Sequence, residues 1–397
     1  MLISTTKKNN VLRDLSTLLL KHKQEIIAEN QRDLEGAASL DATLVDRLKV
    51  DEGKVKGMSV SVDEVMLQDD PVGTVLHAYT HPNGMKVENR VVPFGTILII
   101  YESRPDVTIE AAVSAFKAGN KILLKGGKEA KNSNLYLVKL WHQALVQNDV
   151  STDYVQYLDI DRATTQKLLA ENTHKLDLII PRGGEGLINY IKSTTNVPLL
   201  ISGRGNNFVY IDDEADFDMA IDLVLNGKSR LSVCNAIDKV LLNSSIPELE
   251  VKLEKLVTKA KEMGLNVLAD HTIDQLDTRL NVVEGDEVWS EEFLSEKILF
   301  SQIDTLENAI EKINEYSGGH SAVIVTNNRD KAQIFQYGVD CAAVYHNASS
   351  RFTDGGQLGF GAEIAISTQK LHFRGPVGMG QLVSNKWFVD GEGQIRG

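Results

Sequence analysis

Cysteine is almost absent from this chain: among 397 residues there are only Cys234 and Cys341, far apart. That excludes a disulfide framework and any CxxC metal or redox pair. Basic excess is absent too. The net charge of -13 repels phosphate backbones and acidic membrane surfaces, so nucleic-acid and membrane partners are disfavoured, although a local basic pocket for a small anion is not. Long apolar runs are missing: TILIIY, at 96–101, has the length of a strand and cannot cross a bilayer. The opening MLISTTKKNNVLRDLSTLLL is interrupted by Arg13 and Asp14 and has no continuous apolar core of a secretory leader, so a cytoplasmic location is expected. None of the nine histidines forms an HExxH or joins a cysteine pair, which leaves zinc chemistry without support and no metal expected. Repeats, low-complexity tracts and disordered linkers are also lacking.

What is present is an ordinary globular composition, 42% hydrophobic and 24% charged, long enough for two or three domains. The first 70 or so residues read as helices. LRDLSTLLLKHKQEIIAENQRDLEGA places Leu12, Leu15, Leu19, Ile26 and Ile27 on one face, and a second amphipathic segment runs from about Ala42 to Val65. GTVLHAYTHPNGMKVENRVVPFG follows, with an Asn83-Gly84 turn between two alternating runs, a hairpin signal. From Thr96 short apolar runs (TILIIY, KILLKGG, VQYLD, LDLIIP, VPLLI) alternate with amphipathic helices. A second such series includes IDKVLLN, LNVLA, KILF, SAVIVT and CAAVYH. The alternation predicts an α/β protein with parallel sheets covered by helices on both faces, which bind ligands outside the carboxyl ends of their strands. WFVDGEGQIRG, at the end, reads as an exposed strand or arm.

Several motifs fail on inspection. GRGNNF at 203–208 and GMGQLV at 378–383 are incomplete relatives of GxGxxG, and NGKS at 226–229 has Asp222 where a phosphate loop needs its first glycine. IIPRGGEGL is better placed: a strand ends, Arg182, Gly183 and Gly184 follow, and a helix begins, so its N-terminus can face an anion. KILLKGGKEA repeats the arrangement with Lys125, Gly126, Gly127 and Lys128. A plain strand-to-helix turn is the bland reading of both.

A lone cysteine is usually a small buried hydrophobe. Cys234, in GKSRLSVCNAIDKVLL, instead precedes the polar Asn235, stands near Lys228 and Arg230, and falls at a helix-to-strand junction, where cations favour a thiolate. Cys341 has small and apolar neighbours and reads as core. Arg351, in the glycine-rich SRFTDGGQLGFGAE, suits a carboxylate or phosphate, and Arg104, just past TILIIY, is a second candidate. EEF at 291–293 precedes KILF and is otherwise a charged helix end.

Taken together, VPFGTILIIYESRPDVT, GNKILLKGGKEAKNSN, LIIPRGGEGL, SVCNAIDKVLL, NASSRFTDGGQLGFGAEIAISTQKLHFRGP and the late KW resemble the aldehyde dehydrogenase superfamily over nearly the whole chain, and within it the gamma-glutamyl phosphate reductase family. The resemblance implies two doubly wound α/β domains and an oligomerisation element: an NADP-binding domain over 1–72 and 93–205, a catalytic domain over 206–372, and a hairpin and arm over 73–92 and 373–397. It implies Cys234 as nucleophile, with oxyanion donors around Cys234 and Asn235. Lys125 would hold the adenine-side ribose, the turn of Arg182, Gly183 and Gly184 the pyrophosphate, with Arg182 open to either substrate or cofactor phosphate, and Glu292 the nicotinamide-side ribose. Lys128 joins Lys125 in favouring NADP(H). Arg104 and Arg351 would bind L-glutamate 5-phosphate, which an upstream glutamate 5-kinase supplies, and a homo-oligomer is expected.

Ordinary aldehyde dehydrogenases hydrolyse a thioester with a glutamate base. That position falls near Ser202, and their oxyanion asparagine near Ser103. Without a carboxylate to activate water, the acyl group is expected to exchange with phosphate. The rivals are an aldehyde dehydrogenase of another specificity, a different acyl-phosphate reductase, and a catalytically silent relative kept for binding or assembly; Ser202 speaks against the hydrolytic kind, and the retained Cys234, Glu292 and both Lys-Gly turns against the silent one.

Overall fold

The computed structural model describes residues 3–37, 40, 42–359 and 361–396. They form two compact units, one of residues 1–201, 359–365 and 377–397, the other of residues 202–358 and 366–376.

The first unit begins with helices. In α1 (Thr5–Lys21) the Ser4 hydroxyl accepts the Lys7 N–H, and Val11, Leu12, Leu15, Leu18 and Leu19 form the buried stripe. The apolar run continues past Lys21, but the helix does not. His22 leaves the helical conformation, its ring nitrogen 3.3 Å from Glu25 and 3.4 Å from the Tyr136 hydroxyl, and α2 (Lys23–Glu35) starts anew. The segment expected from Ala42 to Val65 is likewise two helices, α3 (Ala42–Leu48) and α4 (Glu52–Leu67). Buried Asn30 donates to the Leu48 carbonyl at 2.9 Å and accepts the Val50 N–H at 2.7 Å, so the backbone turns there, and Asp51 caps α4.

Next come the hairpin strands β1 (Val75–Thr80) and β2 (Lys86–Pro93), with Gly84 at φ +92° in the turn. The α/β part follows as β3 (Thr96–Tyr101), α5 (Val107–Lys117), β4 (Lys121–Gly126), α6 (Lys131–Gln147), β5 (Val155–Tyr157), α7 (Arg162–Glu171), β6 (Leu178–Arg182) and α8 (Glu185–Thr194). Its sheet has the order β5-β4-β3-β6, every pair parallel. VPLLI does not extend that sheet as a full strand. Pro198 lacks the N–H a ladder needs, and only one bridge forms, Leu199 to Ile179.

The second unit repeats the theme with β7 (Asn207–Ile211), α9 (Phe217–Gly227), β8 (Ile237–Asn243), α10 (Leu249–Glu262), β9 (Asn266–Ala269), β10 (Asn281–Val282), α11 (Glu287–Ser290), β11 (Lys297–Ile303), α12 (Leu306–Tyr316), β12 (Ser321–Val325), α13 (Arg329–Gly338) and β13 (Ala343–His346). Its sheet runs β10-β9-β11-β8-β7-β12-β13, all parallel. Alternate strand residues feed two cores. Val209, Val240, Val267 and Val323 pack with α9 and α10 on one face, and Phe208, Tyr210, Leu241, Leu299 and Phe335 on the other.

Two short strands, β14 (Ala365–Ser367) and β15 (Gly375–Val377), pair with each other. The last, β16 (Val383–Asp390), lies antiparallel on β2 to give a three-stranded sheet, β1-β2-β16. β1 is exposed along its length, and Trp387 and Phe388 are exposed on β16. Among the described residues no helix is long and apolar enough to cross a membrane.

Candidate active site

In the first unit the candidates gather at the carboxyl ends of three adjacent strands, β4, β3 and β6. After β3, Glu102 is followed by Ser103, which is buried and held at φ 36°. The Ser103 N–H and hydroxyl both donate to one oxygen of Glu129, at 2.8 and 2.9 Å. Arg104, part-exposed, lies 3.5 Å from Asp106. Glu110, one turn into α5, has a carboxyl pushed up to about 7 by burial and then by the charge of Asp106, against the opposite pull of Arg104 and Arg182.

At the end of β4, Lys125 donates to the Gly126 carbonyl at 3.1 Å, and Lys128 is exposed at the start of a 3-10 turn. The glycines here answer to the protein's own packing. A Cβ on Gly126 would lie 2.2 Å from the Asn134 amide, and one on Gly127 2.0 Å from Glu129. After β6, a Cβ on Gly183 would strike Leu187 and Glu102, whereas one on Gly184 would meet nothing within 4 Å. Gly184 is the N-cap of α8, and its N–H donates to Glu102 at 3.2 Å. The helix N-terminus foreseen for an anion therefore already faces a carboxylate. Three cationic side chains, Lys125, Lys128 and Arg182, together with the open backbone at Gly184, fit the phosphates and riboses of a dinucleotide, which would share that terminus with Glu102.

The second unit departs from the expected placement. Cys234, Asn235 and Glu292 stand at the amino ends of the strands, in the segments that lead into β8 and β11, and the Arg351 turn, which follows β13, is tied back to Asn235. The carboxyl ends carry a different group, in which Asp212, Asp213 and Glu214 share the ammonium of Lys331, at 3.1 Å from Asp212 and from Glu214. This acidic trio has its cation already.

Cys234 occupies the turn before β8 and is part-exposed. The backbone of Gly205 presses on it so closely that a Cβ there would lie 2.1 Å from the Cys234 carbonyl oxygen. The Asn207 amide donates to three carbonyls, of Gly205 at 2.9 Å, Cys234 at 2.7 Å and Ala236 at 2.6 Å, and so fixes the turn. Asn235 is buried. Its amide donates to the carbonyls of Arg351 and Thr353 at 3.2 and 3.1 Å, its side-chain oxygen accepts from the Arg351 guanidinium, and its carbonyl accepts the Ser350 hydroxyl at 2.7 Å. The Asn235 side chain thus pins the Arg351 loop. Burial first, then repulsion from Arg230, lowers the Arg351 pKa, while Asp354 and Cys234 oppose the fall, which marks the guanidinium as an electrostatic neighbour of the thiol. Phe360 of this glycine-rich stretch lies outside the described residues.

Lys228, read from sequence as a cation beside the thiol, is fully buried and ion-paired with Asp238 at 2.6 Å. Cys341 is buried against Ser317, and burial pushes its thiol up to about 11. Glu292 sits half-buried in the loop between α11 and β11, the strand beside β8. The structure thus groups Arg104, Lys125, Gly126, Gly127, Lys128, Arg182, Gly183 and Gly184 within the first unit, and Cys234, Asn235 and Arg351 within the second, with Glu292 at the same end of the second sheet. Glu102, Glu129, Asn206, Asn207 and Lys239 were not singled out from sequence. Their partners lie far along the chain, and only the doubled asparagine in GRGNN was a visible signal.

Comparison with known proteins points one way. The model of the aldehyde dehydrogenase family matches residues 2–275. A gamma-glutamyl phosphate reductase from Clostridium perfringens is 43% identical over 99% of this chain and 95% of its own length. The crystal structure of gamma-glutamyl phosphate reductase from Thermotoga maritima superposes with a TM-score of 0.93 at 36% identity, covering 100% of this chain and 95% of that one. An acetylating aldehyde dehydrogenase from Geobacillus thermoglucosidasius, at 17% identity, TM-score 0.72 and coverage of 100% and 94%, shares the fold.

Proposed function

From the premise that this chain belongs to the aldehyde dehydrogenase family, among its gamma-glutamyl phosphate reductases, we propose that it reduces L-glutamate 5-phosphate to L-glutamate 5-semialdehyde in proline biosynthesis, through a thioester on Cys234. The observation that carries the proposal is the contrast between the two thiols. Cys234 is part-exposed, held by its main chain and followed by Asn235, whose side chain holds Arg351, whereas Cys341 is buried.

The Cys234 thiolate attacks the acyl carbon and phosphate leaves with the electron pair of the C–O bond. Arg351 and Arg104 are the cations for the anionic ends of the substrate, the acyl phosphate and the α-carboxylate. Main-chain N–H groups at Cys234 and Asn235 take up the oxyanion, since the Asn235 side chain is engaged elsewhere. When bound, NADPH would supply the hydride that reduces the thioester. The hemithioacetal left on Cys234 then collapses to the aldehyde and returns the thiolate. Lys125, Lys128 and Arg182 bind the cofactor's ribose and phosphates, Lys128 being exposed enough to meet a 2′-phosphate, and Glu292 takes the nicotinamide-side ribose. Ser202 at the position of the usual base is consistent with release to phosphate rather than water. The exposed β1 edge and the Trp387 and Phe388 side chains, in residues 73–92 and 373–397, support a role in oligomerisation.

The test is a pair of variants. Cys234→Ser is expected to lower phosphate-dependent oxidation of the semialdehyde by about a thousandfold or more, and Cys341→Ser to leave it within about twofold. Equal loss in both would remove Cys234 from the mechanism.

A further inference from the structure

The segment GRGNN at 203–207 has no phosphate-loop role, yet three of its side chains end on functional loops. Arg204 donates to the Ser290 carbonyl at 2.9 Å. Asn206, fully buried, donates to the carbonyls of Trp289 at 2.6 Å and Tyr316 at 2.7 Å. Asn207 holds the Cys234 turn, as described. The start of β8 completes the frame. Asp238 accepts the Phe293 N–H at 2.7 Å while its other oxygen takes Lys228. Lys239, fully buried, donates to Asn206 at 2.8 Å and to the Glu291 carbonyl at 2.7 Å, with its ammonium 3.6 Å from the centre of the Phe293 ring. The main chain on both sides of Glu292, at Trp289, Ser290, Glu291 and Phe293, is thus fixed by four side chains; of their two supporting segments, 203–207 also fixes the Cys234 turn, and that turn leads into the other, β8.

We propose that Arg204, Asn206, Asp238 and Lys239 form a bracket that sets the position of Glu292 relative to Cys234, with Lys239 as a positioning residue for the cofactor's ribose. The inference rests on the reading of Glu292 as the ribose ligand. A cationic amine is a costly choice for the middle of a core, where an apolar residue of similar volume packs without desolvation. Burial brings the Lys239 pKa down to about 7, against the attraction of Asp238. The side chain is retained in that setting because three separate groups, the Asn206 oxygen, the Glu291 carbonyl and the Phe293 ring, converge on it. Arg204 and Asn206 hold the two carbonyls before Glu291, and Asp238 holds the N–H just after Glu292. With both neighbours of Glu292 tied, its carboxylate has only its own side-chain torsions to adjust, which lowers the cost of ordering it on a ligand.

The test is a double-variant cycle on the whole enzyme, reading the dissociation constant of NADPH by fluorescence titration. Glu292→Ala is expected to weaken binding about tenfold. Lys239→Met is expected to weaken it by a similar factor, and the double variant by no more than either alone, because the lysine acts through the glutamate. The rate of Cys234 alkylation by iodoacetamide should stay within about twofold, which separates positioning from general loosening of the unit. Should Lys239→Met not fold, Lys239→Gln, which keeps a donor, replaces it with an intermediate weakening expected. If Glu292→Ala weakens binding and the Lys239 variant does not, or if the two effects multiply, the positioning role is wrong and the ribose reading stands. If Glu292→Ala leaves the NADPH constant unchanged, the ribose reading fails and the positioning role with it.

Discussion

The two parallel sheets put their candidate residues at opposite ends. In the first unit Lys125 and Arg182 lie in the last positions of β4 and β6 and Arg104 follows β3, close to where the next helix begins and its first N–H groups point outward. In the second, Cys234 and Glu292 stand at the amino ends, where helices finish, and the Arg351 loop is tied back to Asn235; α9 stops at Gly227, shortly before the Cys234 turn. A helix start offers partial positive charge without any side chain, which suits a phosphate-bearing cofactor. A helix end offers the reverse, so the thiolate and acyl phosphate of the proposed reaction would have to draw on true cations, for which Arg351 with Arg230 close by is the candidate. Sheet topology alone therefore does not say which end reacts; what the following or preceding segment brings does.

The comparison can be broken by exchanging symptoms between units. Arg351→Met should lower kcat/KM for the acyl phosphate about a hundredfold and leave the NADPH dissociation constant unchanged. A matching loss of NADPH affinity would mean that Arg351, like Glu292 at the same end of the second sheet, serves the cofactor rather than the substrate. Lys125→Met should do the converse, weakening NADPH about tenfold while iodoacetamide modifies Cys234 at its normal rate; an altered alkylation rate would deny the separation.

Acid and base sharpen the contrast more gently. Glu110 has a raised folded pKa of about 7, so it favours the folded first unit below about 4.5, and that contribution is lost as pH rises through about 7. His320, buried in the second unit with its pKa depressed to about 4 by desolvation, favours folding above about 6.5 and loses that as pH falls through about 4. Glu110→Gln should therefore gain melting temperature relative to the native chain at pH 8 compared with pH 5, and His320→Gln at pH 4.5 compared with pH 7. Parallel shifts of native and variant across each range would contradict the assignments.

Most elements were legible because their periodicity is local: the hairpin at Asn83-Gly84, and the strands TILIIY, IDKVLLN and SAVIVT, stand where the pattern put them. The helix breaks at His22 and Val50 were not, since the apolar stripe continues through both and the side chains met there lie far along the chain, Tyr136 at His22 and Asn30 at Val50. The site divides the same way. Cys234, Lys125 and Glu292 could be singled out as candidates because each lies in a motif. The side chains that hold them could not. Asn206 meets Trp289 across 83 positions, and Asn235 meets Thr353 across 118, distances at which one sequence carries no pairing signal. The misplaced role of Lys228 has the same origin, for nearness in sequence to Cys234 said nothing of its pairing with Asp238.

The most direct test is a single turnover without phosphate. Enzyme mixed with L-glutamate 5-semialdehyde and NADP alone should release NADPH in a burst of one per active chain and then stop, with the acyl adduct found by mass spectrometry on the Cys234 peptide; phosphate added afterwards should restart turnover. Steady NADPH formation in the absence of phosphate, or an adduct anywhere but Cys234, would contradict the account.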